Sequence, residues 1–546
     1  MKGLCARALL VVVLSGSAAS GFAQVEGNAK FDGPAELPRV YVKSSLADTP
    51  APGKIRSAKD AEELQSALES AQCGDRILLQ AGTRFAGNFK FPAKSCDDAH
   101  WIIVRTSAED NALPPEGTRL TPCYAGVASL PGRPPYACLA PKNVMAKLVS
   151  TRPDAPTVAF EDGANHYRLV GLEITRESQD VVYNVIQMLG KGSNHHFVFD
   201  RDWIHGTAQD ETTRGVALGS SRYVAVVESY FSDFHCVAVT GSCGDAQTIA
   251  GGLGDFPMGP YKIVNNFLEA AGENVMFGGG PATLSPSDIE IRRNHLFKPL
   301  IWKKESEGFV GGRSGKPFIV KNLFELKNAQ RVLFEGNILD NTWGGFTQSG
   351  FAILLTPKNQ ANKCPLCRTT DITIRFCRVS HMANGMTMGT GLSDAGGAAS
   401  GGERYSFHDI VFDDIDNKTY GGFGTLIQIG SKIPALRDVS FDHITGFPPS
   451  ALFTIGVDVD GNKIINFTFT NNLVGVGRVQ MMPTGGGPKN CAFHPDRQGP
   501  ALVLKNCFAS FNFNHNALVG ASGTWPDVNF TPRDPSAIAE SILFAA

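Results

Sequence analysis

The chain has 546 residues, with 50 Lys and Arg against 52 Asp and Glu, a formal net charge of −2 and a charged fraction of only 19%. That balance excludes a protein held to nucleic acid by electrostatics. The 59 Gly and 32 Pro make 91 residues of 546, about 17% against an average of roughly 12%, while hydrophobic residues still reach 42%, so the chain reads as turn-rich and globular, not disordered.

Lys2 and Arg7 precede an apolar run, Ala8 to Leu14, and small residues follow up to Ala23. Residues 1–23 therefore read as a secretory signal peptide, and the protein is expected to be secreted or periplasmic. No later segment approaches 18 uninterrupted apolar residues, so no integral membrane span is expected. Residues 24–55 are Pro-rich and aperiodic, an extended lead-in to a single domain over 56–546. Leu64, Ala67, Leu68 and Ala71 then recur at helical spacing behind a capping box starting at Ser57. The stretch from Ser107 to Pro141 carries seven prolines and two cysteines and reads as a surface insertion. Two more insertions are expected at 304–318 and 386–404.

Without Cys5, eleven cysteines remain. Export makes disulfides plausible: the near pairs are Cys73/Cys96, Cys123/Cys138, Cys236/Cys243 and Cys491/Cys507, with Cys364 and Cys367 as a loop staple. Spacing does not fix connectivity, and the odd count leaves one thiol over.

From about residue 160 a short phrase recurs: two or three alternating apolar residues, a polar Asn or Asp, then another apolar residue. It occurs as HFVFDRDWI (196–204), YVAVVESYF (223–231), YKIVNNFLE (261–269), IEIRRNHLF (289–297), RVLFEGNIL (331–339) and in four later copies. Aligning Trp203, Tyr230, Phe267, His295 and Ile338 gives intervals of 27, 37, 28 and 43 residues. A second column runs through NVIQMLG (184–190), GVALG (215–219), AQTIAG (246–251), NVMFGG (274–279), LIWKK (300–304) and FAILLTP (351–357). Two strand columns sharing one period indicate a β-solenoid with several strands per coil. The helix then caps the first coil, whose open edge would otherwise aggregate. Asn266, Asn294, Asn337 and Asn472 recur at the turns, where their amides are expected to bond along the stack.

The helix followed by GDRILL, with the repeated strand-Asn-turn phrases, resembles the right-handed parallel β-helix of the pectate lyase superfamily. This resemblance implies an all-β solenoid and leaves activity open, because the fold hosts lyases, hydrolases, esterases and binding spikes.

Arg214, Asp245, Glu273 and Lys298 fall within one position of each other on successive coils of the second column. Asp245 and Glu273, with amide oxygens from Asn274 and Gln247, could hold Ca2+. They could equally act as the acid and base of an inverting glycoside hydrolase, with Asp202 as a further carboxyl, or be salt-bridged turn residues. Lys298, Lys303, Lys304, Arg313 and Lys316 follow, with Trp302 among them. Cations neutralise a uronate carboxylate, and an aromatic face stacks on the sugar. A Lys or Arg of lowered pKa, such as Lys298, Lys303 or Arg214, can remove the proton α to that carboxylate. His235, held by a Cys236 to Cys243 loop, is a further base candidate, whereas His195 and His196 begin a strand and read as structural.

NFLEAAGENVMFGGG is also similar to the segment of β-helix chondroitinases and alginate lyases in which Gly-Glu-x-Glu precedes a basic residue. Gly272 and Glu273 match its first pair, but Val275 stands where the second carboxylate belongs and Gly280 where the basic residue belongs. The resemblance then requires a second ligand from Asp245 or Asn274 and a base from Lys298 or Lys303. The expected function is a carbohydrate-active enzyme cleaving an acidic polysaccharide by β-elimination. The alternatives are an inverting hydrolase and a non-catalytic glycan-binding solenoid.

Overall fold

The computed structural model describes residues 30–238, 242–345, 348–493 and 499–531. The expected signal peptide, 1–23, lies outside them.

One coil shows how the sequence makes the architecture. Tyr261–Val264 forms a first strand, Asn265 takes the left-handed conformation (φ 59°), Phe267–Ala270 forms a second strand and Glu273–Phe277 a third. First and second strands of successive coils join a 24-stranded sheet, and third strands build a 12-stranded sheet. Pairings between coils are parallel throughout these sheets, as in Tyr261 with Ile289 and Val275 with Phe324. The chain is therefore a parallel β-helix, whose crossovers take the right-handed sense favoured by strand twist.

The aligned positions of the recurring phrase coincide with the observed register. Trp203 pairs with Tyr230, Tyr230 with Phe267, Phe267 with His295 and His295 with Ile338. Inward residues such as Ile263, Leu268, Val275 and Phe277 are fully or almost fully buried in one continuous core. Because each strand buries about as much apolar surface as its neighbours, the core grows along the axis, each large side chain adding roughly 1.5–3 kcal/mol of transfer free energy.

The asparagines form a buried ladder. Asn294 Oδ1 accepts from the backbone N–H of Asn266 at 2.9 Å and from its amide at 3.0 Å, and Asn337 Oδ1 does the same for Asn294 at 2.8 and 3.0 Å. Ser229 and Asp202 continue the column, Asp202 Oδ1 accepting from the Leu172 N–H at 2.8 Å. Burial raises the Asp202 carboxyl well above its usual range. Asp202 thus stands in an asparagine's place as a neutral acid, away from solvent, which removes it from the hydrolytic carboxyls considered above.

The cap helix, α1 (Ala61–Ser70), buries Leu64, Ala67 and Leu68. Its N-cap is Asp60, which accepts from the Glu63 N–H, and Ser57 lies in the preceding strand, so the capping box expected from Ser57 does not form. The lead-in runs back along the large sheet, tied by Arg375 to Asp32 at 2.6 Å and by Asp288 to the Arg39 N–H at 2.9 Å. The insertion after Thr106 covers an outer aromatic column of Trp203, Tyr230, Phe267 and Phe297 with Leu113, Leu120 and Met145. The expected 386–404 loop is shorter, since Asn384–Gly389 and Gly401–Ile415 are strands. LIWKK is not a strand of the second column. Pro299 initiates a 3-10 turn at Leu300–Trp302, and the strand of that coil is Phe324–Leu326.

Cys73–Cys96, Cys123–Cys138, Cys236–Cys243, Cys364–Cys367 and Cys491–Cys507 are disulfides. Among the described residues Cys377 is the free thiol, and it is buried. Among the described residues no helix is long and apolar enough to cross a membrane.

Candidate functional site

A row of polar side chains crosses the start of the third strands. Arg214 pairs in register with Gln247, and Gln247 with Glu273. Asp245 sits two residues before Gln247, off the column where the repeat spacing put it, because Gly251 pairs with Phe277 and not with Gly278. On the next coil Val275 pairs with Phe324 and Met276 with Glu325, bringing Lys321, Asn322 and Glu325 to the same place.

These side chains make one electrostatic unit. Lys321 Nζ bonds Asp245 Oδ1 and lies 3.5 Å from Glu273 Oε1. Gln247 donates to Glu273 Oε2 at 2.8 Å, Asn322 donates to Glu325 Oε2 at 2.5 Å, and Lys327 pairs with Glu325 at 2.6 Å. Glu273 is fully buried, while the Asp245 side chain keeps 41% of its exposure, so the row opens to solvent at Asp245. Burial, with the negative charges of Glu325 and Asp245, pushes the Glu273 carboxyl up to about 7. Lys321, although buried enough to favour the neutral amine, is held above its ordinary value by Glu273 and Asp245. Burial pulls Arg214 below its ordinary value against the attraction of Asp245 and Glu273.

Three buried oxygens in this row, Asn184 Oδ1, Gln247 Oε1 and Glu273 Oε1, accept no hydrogen bond. Asn184 is the register partner of Arg214 on the preceding coil. Of the three oxygens, Glu273 Oε1 faces the Lys321 ammonium at 3.5 Å, whereas the Asn184 and Gln247 amide oxygens have no donor, which is costly for buried acceptors. Asn184 lies three coils from Glu273 and cannot share an ion with it. Gln247 Oε1, Glu273 and the Asp245 carboxylate are the oxygens that could hold a hard divalent cation such as Ca2+, in place of the Lys321 ammonium that now stands beside both carboxylates.

The other expected site residues lie elsewhere. Lys298 is fully buried, and its ammonium donates to the carbonyls of Ala270 (2.8 Å), Ala271 (3.1 Å) and Gly272 (2.5 Å) and to Asn274 Oδ1 (2.9 Å). Burial pulls it down to about 7, but every neighbour is an acceptor, so the group braces a turn and meets no solvent. Asn274 also donates to the carbonyls of Leu268 and Phe297. It therefore turns away from Glu273, and the two cannot ligate one ion. His235 is fully buried: Nε2 faces the Thr207 carbonyl at 3.0 Å, and its ring stacks on Phe318 at 3.8 Å. Burial depresses its imidazole to about 4, which leaves a structural aromatic and not a solvent-facing base.

Trp302 is 1% exposed, packed edge-on to His235 and Phe318 and covered by the Arg133 guanidinium at 5.5 Å. It lines a depression with Lys303, Lys304, Phe318, Val320 and Trp343, and Val320 adjoins Lys321. Lys303 pairs with Glu305 at 2.9 Å, and Arg313 is clamped on Asp210 at 2.5 and 3.2 Å. Of the expected residues, Arg214, Asp245 and Glu273 converge. Lys321, Glu325 and Gln247 complete the row. Lys321 and Glu325 belong to the phrase KNLFEL (321–326), whose alternation marks a strand.

No family model and no curated protein matches the chain. Solved structures do. An alginate lyase from Paenibacillus sp. is 13% identical over 79% of this chain and 98% of its own, with a TM-score of 0.32. A family 6 polysaccharide lyase from Pseudopedobacter saltans is 12% identical over 88% and 94%, with a TM-score of 0.39. A polygalacturonase from Erwinia carotovora ssp. carotovora is 11% identical over 82% and 96%, with a TM-score of 0.36. At that similarity they carry no argument about activity.

Proposed function

We propose that the protein is a secreted carbohydrate-active enzyme that cleaves an acidic, uronate-containing polysaccharide by β-elimination along the row from Arg214 to Lys327. The observation that carries this reading is the composition of the row. Three basic side chains, Arg214, Lys321 and Lys327, share the row with Asp245, Glu273 and Glu325, beside a buried Gln247 amide oxygen that lacks a donor. An anionic sugar supplies carboxylates to the cations, and a cation satisfies the orphaned oxygen.

Asp245, Glu273 and the Gln247 amide oxygen are the residues that would hold Ca2+, which when bound neutralises a uronate carboxylate and so acidifies the proton α to it. The Arg214 side chain makes no hydrogen bond with any described residue, and burial favours its neutral form; the neutral guanidine is the group assigned to take that proton from C5, becoming the guanidinium. The C4–O bond breaks as C4=C5 forms, and the leaving oxygen takes a proton from the Lys321 ammonium.

A second reading rests on Glu273, whose carboxyl, raised to about 7, stands beside an Asp245 open to solvent. Two carboxyls in unlike environments can serve as acid and base of a glycosidase. The test is ultraviolet absorbance during incubation of the mature protein with a panel of uronate polymers, with and without Ca2+. A rise abolished by chelator supports elimination. Reducing ends without absorbance replace it with hydrolysis, and silence in both assays leaves a glycan-binding solenoid.

A further inference from the structure

A second cluster lies near the N-terminal end of the solenoid. His166, His195 and His196 each offer a nitrogen within 4.8 Å of the others. Backbone geometry puts them there. His166 (φ 53°), His196 (φ 59°) and Tyr223 (φ 53°) occupy the same left-handed position on three successive coils, and their rings stack in a column. His166 and His196 lie 4.5 Å apart at 5°, and His196 and Tyr223 lie 4.5 Å apart at 10°. Left-handed φ is uncommon outside glycine, and here its repetition aligns imidazoles along the axis. His195, paired in register with Asn165, meets His196 edge-on, the two Nδ1 atoms 2.7 Å apart.

The hydrogen-bond network fixes one tautomer. The Asn165 amide nitrogen donates to the carbonyls of Lys94 at 2.7 Å and Gly163 at 2.8 Å, so its oxygen faces His166 Nδ1 at 2.7 Å. His166 Nδ1 therefore carries the hydrogen. The Nε2 lone pair of the neutral ring points at Asp98 Oδ1, 3.1 Å away, and His196 Nε2 lies 3.8 Å from the same oxygen. Two acceptors facing each other at 3.1 Å require a positive species at the contact.

We infer that His166, His195, His196 and Asp98 form a binding site for a Zn2+-class divalent ion. Three imidazoles and a carboxylate make a donor set that zinc prefers over calcium. Two metal–ligand bonds of about 2.0–2.2 Å span an edge of roughly 2.9–3.5 Å between right-angle and tetrahedral geometry. The His166 Nε2–Asp98 Oδ1 separation of 3.1 Å falls on that edge; His196 would enter with one nitrogen only, Nδ1 at 2.7 Å from His195 Nδ1 or Nε2 at 3.8 Å from Asp98 Oδ1. Asp98 is 85% exposed and follows the Cys73–Cys96 disulfide, so the ion would clamp this loop onto the two histidine-bearing turns. The charged neighbours are Asp97, which faces His166, and Arg222, the register partner of His195, which weakens the site without occupying it.

The site is independent of the polysaccharide reading. Tag-free mature protein is titrated with Zn2+ alone by calorimetry, and with Co2+ followed by its visible ligand-field absorption. One equivalent of Zn2+ is expected, with visible bands of a nitrogen-ligated low-coordinate Co2+ that Zn2+ displaces. Asp98→Ala, at an exposed position that leaves the fold intact, should weaken binding at least tenfold, and the His166→Gln/His196→Gln double variant should abolish it. Absence of binding by the folded wild-type protein overturns the inference, as does binding kept unchanged in Asp98→Ala or in a folded double variant. In either case the contact is an imidazolium–carboxylate pair, the second proton taking the ion's place.

Discussion

Lys321 stands between two carboxylates, bonded to Asp245 and 3.5 Å from Glu273 Oε1, and so holds the candidate site together across three coils. Its removal leaves a buried carboxyl without its cation. Lys321→Met should abolish activity and cost about 3–5 kcal/mol, the range for breaking a buried pair from one side, read as a fall in the urea midpoint at unchanged slope. The Lys321→Met/Glu273→Gln double variant should recover most of that stability and none of the activity.

Glu273 gives the site a pH signature. Its carboxyl is raised from an ordinary 4.5 to about 7, so between these values the unfolded chain has released a proton that the folded chain keeps. Stability then falls as pH rises from about 4.5 to about 7 and levels off above. Glu273→Gln should flatten this part of the melting-temperature profile and raise the melting temperature near pH 8. An unchanged slope in the folded variant would remove the raised carboxyl from the account.

The phrase periodicity made the coil register legible because the strands are half apolar, half polar and separated by an Asn that bonds to the next coil. Trp203, Tyr230, Phe267, His295 and Ile338 could be aligned without coordinates, and they pair in that order. The site was legible only in part. Arg214 and Glu273 lie in uninterrupted coils, whereas the residues after Phe297 leave the solenoid until Leu323. Spacing therefore placed Lys298 and the apolar LIWKK in a column that Lys321 and Phe324 occupy. Burial was equally unreadable. Lys298, Trp302 and His235 have the residue types of a site, and only the packing of the 107–141 and 298–323 segments shows that they are covered.

The asparagine ladder should behave as a structural column. Asn294→Ala deprives the Asn266 N–H and amide of their acceptor and the Ile263 carbonyl of its amide donor, while the Asn337 oxygen keeps the backbone N–H of residue 294. Orphaned buried groups cost about 1–3 kcal/mol each. Chemical denaturation should show a loss in that range or above it, with activity per folded molecule unchanged.

Arg133 fastens the 107–141 insertion. It donates to Glu269 at 2.7 Å through both Nε and Nη2 and to Asp233 at 2.6 Å. Arg133→Ala leaves two buried carboxylates unpaired. Limited proteolysis should then cut within 107–141 at least tenfold faster than in the wild type. Adding Glu269→Gln should restore part of the protection.

The most direct measurement compares the mature protein with Arg214→Ala on one uronate polymer in Ca2+, following ultraviolet absorbance and reducing ends together. Absorbance and reducing ends should rise in proportion for the wild type, and both should fall by at least a hundredfold in the folded variant. Reducing ends that accumulate without absorbance, or an Arg214→Ala protein as active as the wild type, would contradict it.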